Sequence, residues 1–266
     1  MLGIHRGYVD VPWGQLHYAA LGQGRAVVLI HQTPRSWDEF RDVLPLLGRR
    51  YLAIAPDTAG FGCSDRPPAA ASDSIEGYTD GLAALLEALD LRDVVAVGHH
   101  TGALVALELA ARVPTPVRAL VLSSAPYKSP AERSAALAGP GVDDVVEQAD
   151  GAHLVALWQR RQSFYPPDRP DLLRRFVADA LRVGDPEEGH RAVNRYAVED
   201  RVGHVTVPVL LVASTHDPFA YPMIERWEAA LPHATLREIP GGMVPLPDQL
   251  PAAFARVVED FVESVE

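Results

Sequence analysis

Short apolar runs recur along the chain at residues 26–30, 51–55, 93–97, 117–123, 207–213 and 235–239. Each has the length of a strand and is apolar at consecutive rather than alternate positions, the pattern of strands covered on both faces. Ahead of them, residues 7–11 and 15–20 flank Pro12, Trp13 and Gly14, which predicts an antiparallel hairpin opening the sheet. Helical spacing fills the gaps. Asp73 with Glu76 forms a capping-box-like start for a helix carrying Leu82, Leu85, Leu86 and Leu89, and residues 102–112 and 252–262 show comparable spacing. Strand-helix alternation of this kind predicts an α/β fold with a doubly wound, mostly parallel sheet. Between residues 127 and 205 the strand signal disappears. Residues 153–161, 171–183 and 187–198 have helical spacing interrupted by proline and glycine. The division expected is a core of residues 1–126 and 206–266 with a helical cap, 127–205, inserted over one end of the sheet. Residues 67–74 read as a loop.

Composition narrows the classes of partner. The 266 residues, 48% hydrophobic and 22% charged, suffice for one substantial core. The formal net charge is -11 and Lys128 is the only lysine, so nothing supplies the basic stripe that a nucleic-acid partner needs. Cys63 is the only cysteine and has no second thiol to pair with. No stretch reaches the roughly 18 to 20 apolar residues of a membrane span, and the N-terminus lacks a leader-like apolar segment. A cytoplasmic monomer or homodimer, acting on a small molecule and not on nucleic acid or membrane, is the expectation.

The chemistry-bearing motif is Val94-Val-Ala-Val-Gly-His-His-Thr-Gly102. A strand runs into a helix through a turn with glycines at 98 and 102, the frame of the G-x-S-x-G nucleophile elbow, but the middle position is His100. Three further segments fall in order along the chain: His31-Gln-Thr-Pro-Arg-Ser-Trp37, Pro56-Asp-Thr-Ala-Gly-Phe-Gly-Cys-Ser-Asp65 and Ser214-Thr-His-Asp-Pro218. On these residues the chain resembles the α/β-hydrolase superfamily over nearly its whole length, in the manner of its capped esterases, lactonases and hydroxynitrile lyases. The resemblance implies a triad in the order nucleophile, acid, histidine. The acid carries over as Asp217. The histidine does not: Gly242 or Met243 stands where it belongs, and no histidine follows His233. The resemblance also implies an oxyanion hole, for which Thr33 and Thr101 offer their amides, with Gln32 replacing the usual glycine of that loop.

These residues suggest a non-serine dyad in which His100 bonds Asp217 directly. The carboxylate would fix the imidazole tautomer, leaving the other ring nitrogen as a base. A base beside an oxyanion hole suits hydrolysis of an ester or lactone, and equally suits lyase, decarboxylase or isomerase chemistry on a small apolar carbonyl compound. The alternative is an inactive homologue that binds a small ligand. The pocket residues expected are His31, Trp37, Tyr127, Trp158, Tyr165, Tyr196, His216 and Met243, though aromatics at helical spacing also serve as packing. His99 and His31 read as structural. Arg160 and Arg161 read as solvent-facing, with a grip on a substrate carboxylate as the other possibility. No cofactor or metal is expected: no glycine-rich phosphate loop is present, and His31, His100, His216 and Asp217 form no local ligand motif.

Overall fold

The computed structural model describes residues 3–68 and 73–265. The hairpin forms as expected from β1 (His5–Val11) and β2 (Gly14–Leu21), which pair antiparallel. β3 (Ala26–Ile30), α1 (Leu44–Leu47), β4 (Leu52–Pro56), α2 (Ile75–Ala88), β5 (Val94–His99), α3 (Thr101–Ala110) and β6 (Val117–Ser123) follow. Then come α4 (Pro130–Ala138), α5 (Ala152–Arg161), α6 (Pro170–Ala180) and α7 (Glu188–Arg195), with no strand between β6 and β7 among the described residues. β7 (Val209–Ser214), α8 (Ile224–Ala230), β8 (Thr235–Ile239), α9 (Leu246–Gln249) and α10 (Pro251–Ser264) complete the chain. The eight strands form one sheet in the order β1-β2-β4-β3-β5-β6-β7-β8. The pairs β1–β2 and β2–β4 are antiparallel and all others parallel.

The continuous apolar runs divide by strand alternation. Val28, Ile30, Ala96, Leu120 and Leu122 face the core shared with α2 and α3. Val27, Leu29, Val95, Val97 and Val121 face the opposite core, which α1 and α10 cover. The segment between β6 and β7 has a small core of its own around Leu157, Tyr165, Leu172, Leu173 and Phe176.

Several boundaries differ from the sequence pattern. β5 opens at Val94 because Asp93 has φ +59°, a left-handed conformation outside a strand. α2 is capped by Ser74, whose Oγ accepts from the Gly77 amide at 3.0 Å, and not by Asp73. Residues 69–72 of the expected loop lie outside the described residues. α4 was not anticipated, although Ser129 and Glu132 make a complete capping box with Pro130 at its start, a signal present in the sequence. No helix among the described residues is long and apolar enough to cross a membrane.

Candidate active site

The elbow is built by backbone contact. A Cβ added at Gly98 would lie 2.1 Å from the Gly102 carbonyl oxygen, and one at Gly102 would lie 2.0 Å from that of Ile30, so only glycine fits either place. Between them His100 is held at φ 47°, ψ −113°, a conformation L side chains rarely adopt, with its amide donating to the Ser123 carbonyl at 2.9 Å. It caps α3 at the C-terminal edge of the parallel strands, where α/β folds place ligands.

Asp217 reaches the same edge from the turn after β7. Its amide donates to the Ser214 carbonyl at 3.0 Å, and its Oδ1 accepts from the amides of Phe219 at 2.9 Å and Ala220 at 3.0 Å. The His100 Nε2 lies 2.8 Å from the remaining oxygen, Oδ2. The approach is oblique, and neither atom meets the angular requirement of a hydrogen bond, so the contact is one of proximity. Burial resists ionisation of Asp217, but His100 and the two amides outweigh it and hold the carboxyl down at about 2. The acid is therefore ionised at neutral pH.

His99, directly before the elbow, is wholly buried. Its Nε2 lies 2.9 Å from the Val244 carbonyl and its Nδ1 3.0 Å from the Ser123 hydroxyl. A carbonyl can only accept, so Nε2 carries the proton and Nδ1 accepts from Ser123. Burial, with the neighbouring His100, pushes its pKa down to about 3. The structural role expected of His99 is consistent with these bonds, which tie β5 to the loop after β8.

The loop following β3 forms the facing wall. His31 places Nδ1 2.8 Å from the Gln32 carbonyl, and its Nε2 accepts from the Thr58 amide at 2.9 Å, so both ring nitrogens are occupied. Gln32 donates its amide to Glu39 Oε2 at 2.8 Å and its side chain to Glu39 Oε1 at 2.6 Å. That removes Gln32 as an oxyanion donor, although the residue lines the site. The amides of Thr33 and Thr101 have no acceptor among the described residues. Beneath the loop, fully buried Arg35 donates to Asp179 of α6 at 2.9 Å and to Asp248 of α9 at 2.6 Å.

A cavity of about 350 Å³ opens over His100, Thr33 and Thr101. Pro218, Phe219, Ala220, Pro222, Met223 and Val244 supply apolar surface, and Lys128, Val142, Arg161, His190 and Val193 close it from the segment between β6 and β7. None of the eight pocket residues expected from sequence lines it. His31 is committed to the loop after β3, and Trp37 packs against the core beside α1 and α10. Tyr127 stacks edge-on against Trp227. Trp158 and Tyr165 belong to the small helical core, and Tyr196 donates to Glu108 at 2.9 Å. His216 is exposed, and Met243, whose amide donates to Gln249 at 2.7 Å, is not part of the lining. Arg161 is the converse case: expected in solvent, it is buried, forking onto Asp143 with Nε 2.6 Å from Oδ1. Asp143, Glu187 and His190 converge closely enough to hold a cation. Arg161 already occupies Asp143, and the Asp143 amide occupies Glu187, so the cluster is self-satisfied and does not fit a metal.

A parallel sheet with its elbow after the fifth strand and an acid after the seventh defines a hydrolase-type scaffold. The sequence model of the alpha/beta hydrolase fold matches residues 25–244, and the chain belongs to that family. It is 38% identical over 107 residues to epoxide hydrolase 2 of Siraitia grosvenorii, covering 40% of this chain and 34% of that protein. It is 32% identical over 125 residues to the cis-3-alkyl-4-alkyloxetan-2-one decarboxylase of Shewanella oneidensis, covering 46% and 39%. These matches span well under half of either relative. The enol-lactonase of Burkholderia xenovorans LB400 superimposes with a TM-score of 0.79 at 20% identity, over 97% of this chain and 100% of that one, a likeness of fold.

Proposed function

We propose that the chain is an enzyme acting on a small, largely apolar carbonyl compound, with the His100–Asp217 pair in place of a serine triad. The observation that carries this reading is the 2.8 Å contact between His100 Nε2 and Asp217 Oδ2 at the floor of the cavity. With Nε2 held against an ionised carboxylate, Nδ1 is the nitrogen left to take a proton. Asp217 orients the ring and stabilises the imidazolium that forms, while the Thr33 and Thr101 amides receive negative charge developing on the substrate oxygen. The base either activates water towards an ester or lactone, or removes a proton beside the carbonyl, as lyase, decarboxylase or isomerase chemistry requires. The activities the relatives are named for, epoxide hydrolysis and decarboxylation among them, support an enzyme of small substrates and do not choose between the branches.

The oblique approach of the two side chains favours a second reading, a family member that binds a ligand without turning it over. Screening short esters, lactones and β-keto acids against wild type and His100→Ala separates the two. The proposal expects turnover that His100→Ala abolishes with the fold intact. Turnover retained in that variant refutes the dyad, and ligand-induced thermal stabilisation without product in wild type favours the binding protein.

A further inference from the structure

Lys128 stands out in charge and in position. The chain carries 35 acidic residues against 24 lysines and arginines, yet no described residue lining the cavity is acidic, while Lys128 and Arg161 both line it. The two cations are not equivalent. Arg161 is neutralised by the Asp143 carboxylate it grips. Lys128 makes no ion pair with a described residue; its ammonium donates to the neutral Asn194 Oδ1 at 2.6 Å. The acids nearest its loop are committed elsewhere. Glu132 is held by Arg226 at 2.6 and 2.9 Å, and Glu199 by Arg133 at 2.8 and 2.7 Å. An ammonium has three donors, so two remain beyond the one given to Asn194.

We propose that Lys128 is the anchor for a carboxylate on the substrate, which makes the substrate class a carbonyl compound with an apolar body and one carboxylate end. The inference rests on the reading of the cavity as an active site and deepens it. A partly buried cation without a counter-ion is costly, and an incoming carboxylate satisfies it with a charge-assisted hydrogen bond. Burial lowers the Lys128 pKa, with Glu132 opposing it from beyond ion-pair contact, and a bound anion opposes the shift further, so ligand and proton favour one another. The loop is held in place, since the Lys128 carbonyl accepts from Arg133 Nη1 at 2.9 Å. The apolar wall of Phe219, Met223, Val142 and Val193 then receives the body of the molecule.

Calorimetric titration with phenylacetate and its neutral isostere phenylacetamide tests the assignment. Wild type and His100→Ala are expected to bind the carboxylate at least about tenfold more tightly than the amide. In Lys128→Gln the preference disappears while phenylacetamide binding persists, and Lys128→Arg restores it. Equal affinities in wild type overturn the proposal, as does a preference that survives in Lys128→Gln or vanishes only in His100→Ala. Should Lys128→Gln not fold, wild-type crystals soaked in phenylacetate decide. A carboxylate within about 3.2 Å of Nζ sustains the assignment, and one seated on the Thr33 and Thr101 amides refutes it. Binding requires no turnover. Loss of the preference beside His100-dependent activity therefore removes this inference alone, and a preference without activity removes the enzyme reading alone.

Discussion

Replacing His100 by glycine and by alanine isolates the energy stored in the elbow. Both variants delete the imidazole and leave Asp217 without its His100 contact, so those losses cancel in the comparison. What differs is the Cβ at φ 47°. A non-glycine residue in such a conformation costs about 1 to 3 kcal/mol. Against this, glycine has the more mobile unfolded chain, worth about 0.4 to 1 kcal/mol in favour of alanine. Central values of about 2 and about 0.7 kcal/mol leave His100→Gly more stable by about 1 kcal/mol, the reverse of the order at an ordinary position. Urea unfolding at pH 7, with slopes of about 2 to 3 kcal/mol per M, reads this as a midpoint higher by roughly 0.3 to 0.5 M in the glycine variant. A glycine variant less stable than the alanine variant by about 0.5 kcal/mol or more refutes strain at the elbow. With it falls the case that a bulky residue is kept there for its chemistry.

Acid stability should fall as pH drops from 6.5 towards 3, because the unfolded chain protonates His99 near 6.5 while the folded chain resists until about 3; urea midpoints across that range should flatten in His99→Gln. Below 3.8 a further loss is expected from Asp217, whose folded carboxyl stays ionised down to about 2, so its stabilisation is present above 3.8 and gone below 2; Asp217→Asn should remove that limb of the same profile. Gly102→Ala should fail to accumulate as folded protein, since its Cβ would sit 2.0 Å from the Ile30 carbonyl oxygen; a soluble variant with native circular dichroism contradicts the packing described. Arg35→Met takes the shared cation from Asp179 and Asp248, leaving Asp179 the Ser36 hydroxyl and Asp248 the Arg175 guanidinium, and should cost about 3 kcal/mol in chemical denaturation, the low end for breaking a buried pair; a loss below about 1 kcal/mol shows that the network is not held by that arginine.

The sheet was legible because parallel strands buried on both faces leave uninterrupted apolar runs. The errors fell where backbone conformation decides, as at Asp93. The elbow was legible for a related reason: Gly98 and Gly102 are forced by backbone-to-backbone distances, and such positions tolerate nothing else. Asp217 was legible through the resemblance of Ser214-Thr-His-Asp-Pro218 to the strand end that carries the family's acid. The cavity wall was not legible. Periodicity assigns an apolar face to a helix but does not say what the face meets, so Trp158 and Tyr165 looked like pocket residues when they fill a helical core. Arg161 was misplaced because its partner Asp143 lies in a stretch without periodicity, and a charged helix residue with no visible partner reads as solvated. Lys128 was visible only as the sole lysine of an acidic chain; what gives it meaning is the company it keeps in the cavity.

The same packing bears on why the proposed pair needs no third member. In a serine triad the third member enters from the loop after the last strand and spans the distance between nucleophile and acid. Here that loop is closed. A Cβ at Gly242 would meet Leu246 Cδ1 at 2.8 Å and the Ile239 carbonyl at 3.1 Å. The Gly242 carbonyl is used by the His216 amide at 2.8 Å, and that of Val244 lies 2.9 Å from His99 Nε2. A serine at 100 could not be served from position 242 without rebuilding these contacts. The imidazole of His100 is long enough to touch Asp217 itself, so one side chain covers a span that otherwise needs two. Under the proposed pairing, a histidine at 100 and a glycine at 242 belong to one arrangement. Asp217, held by two amides and kept ionised, is the member of the proposed pair that the backbone fixes in place.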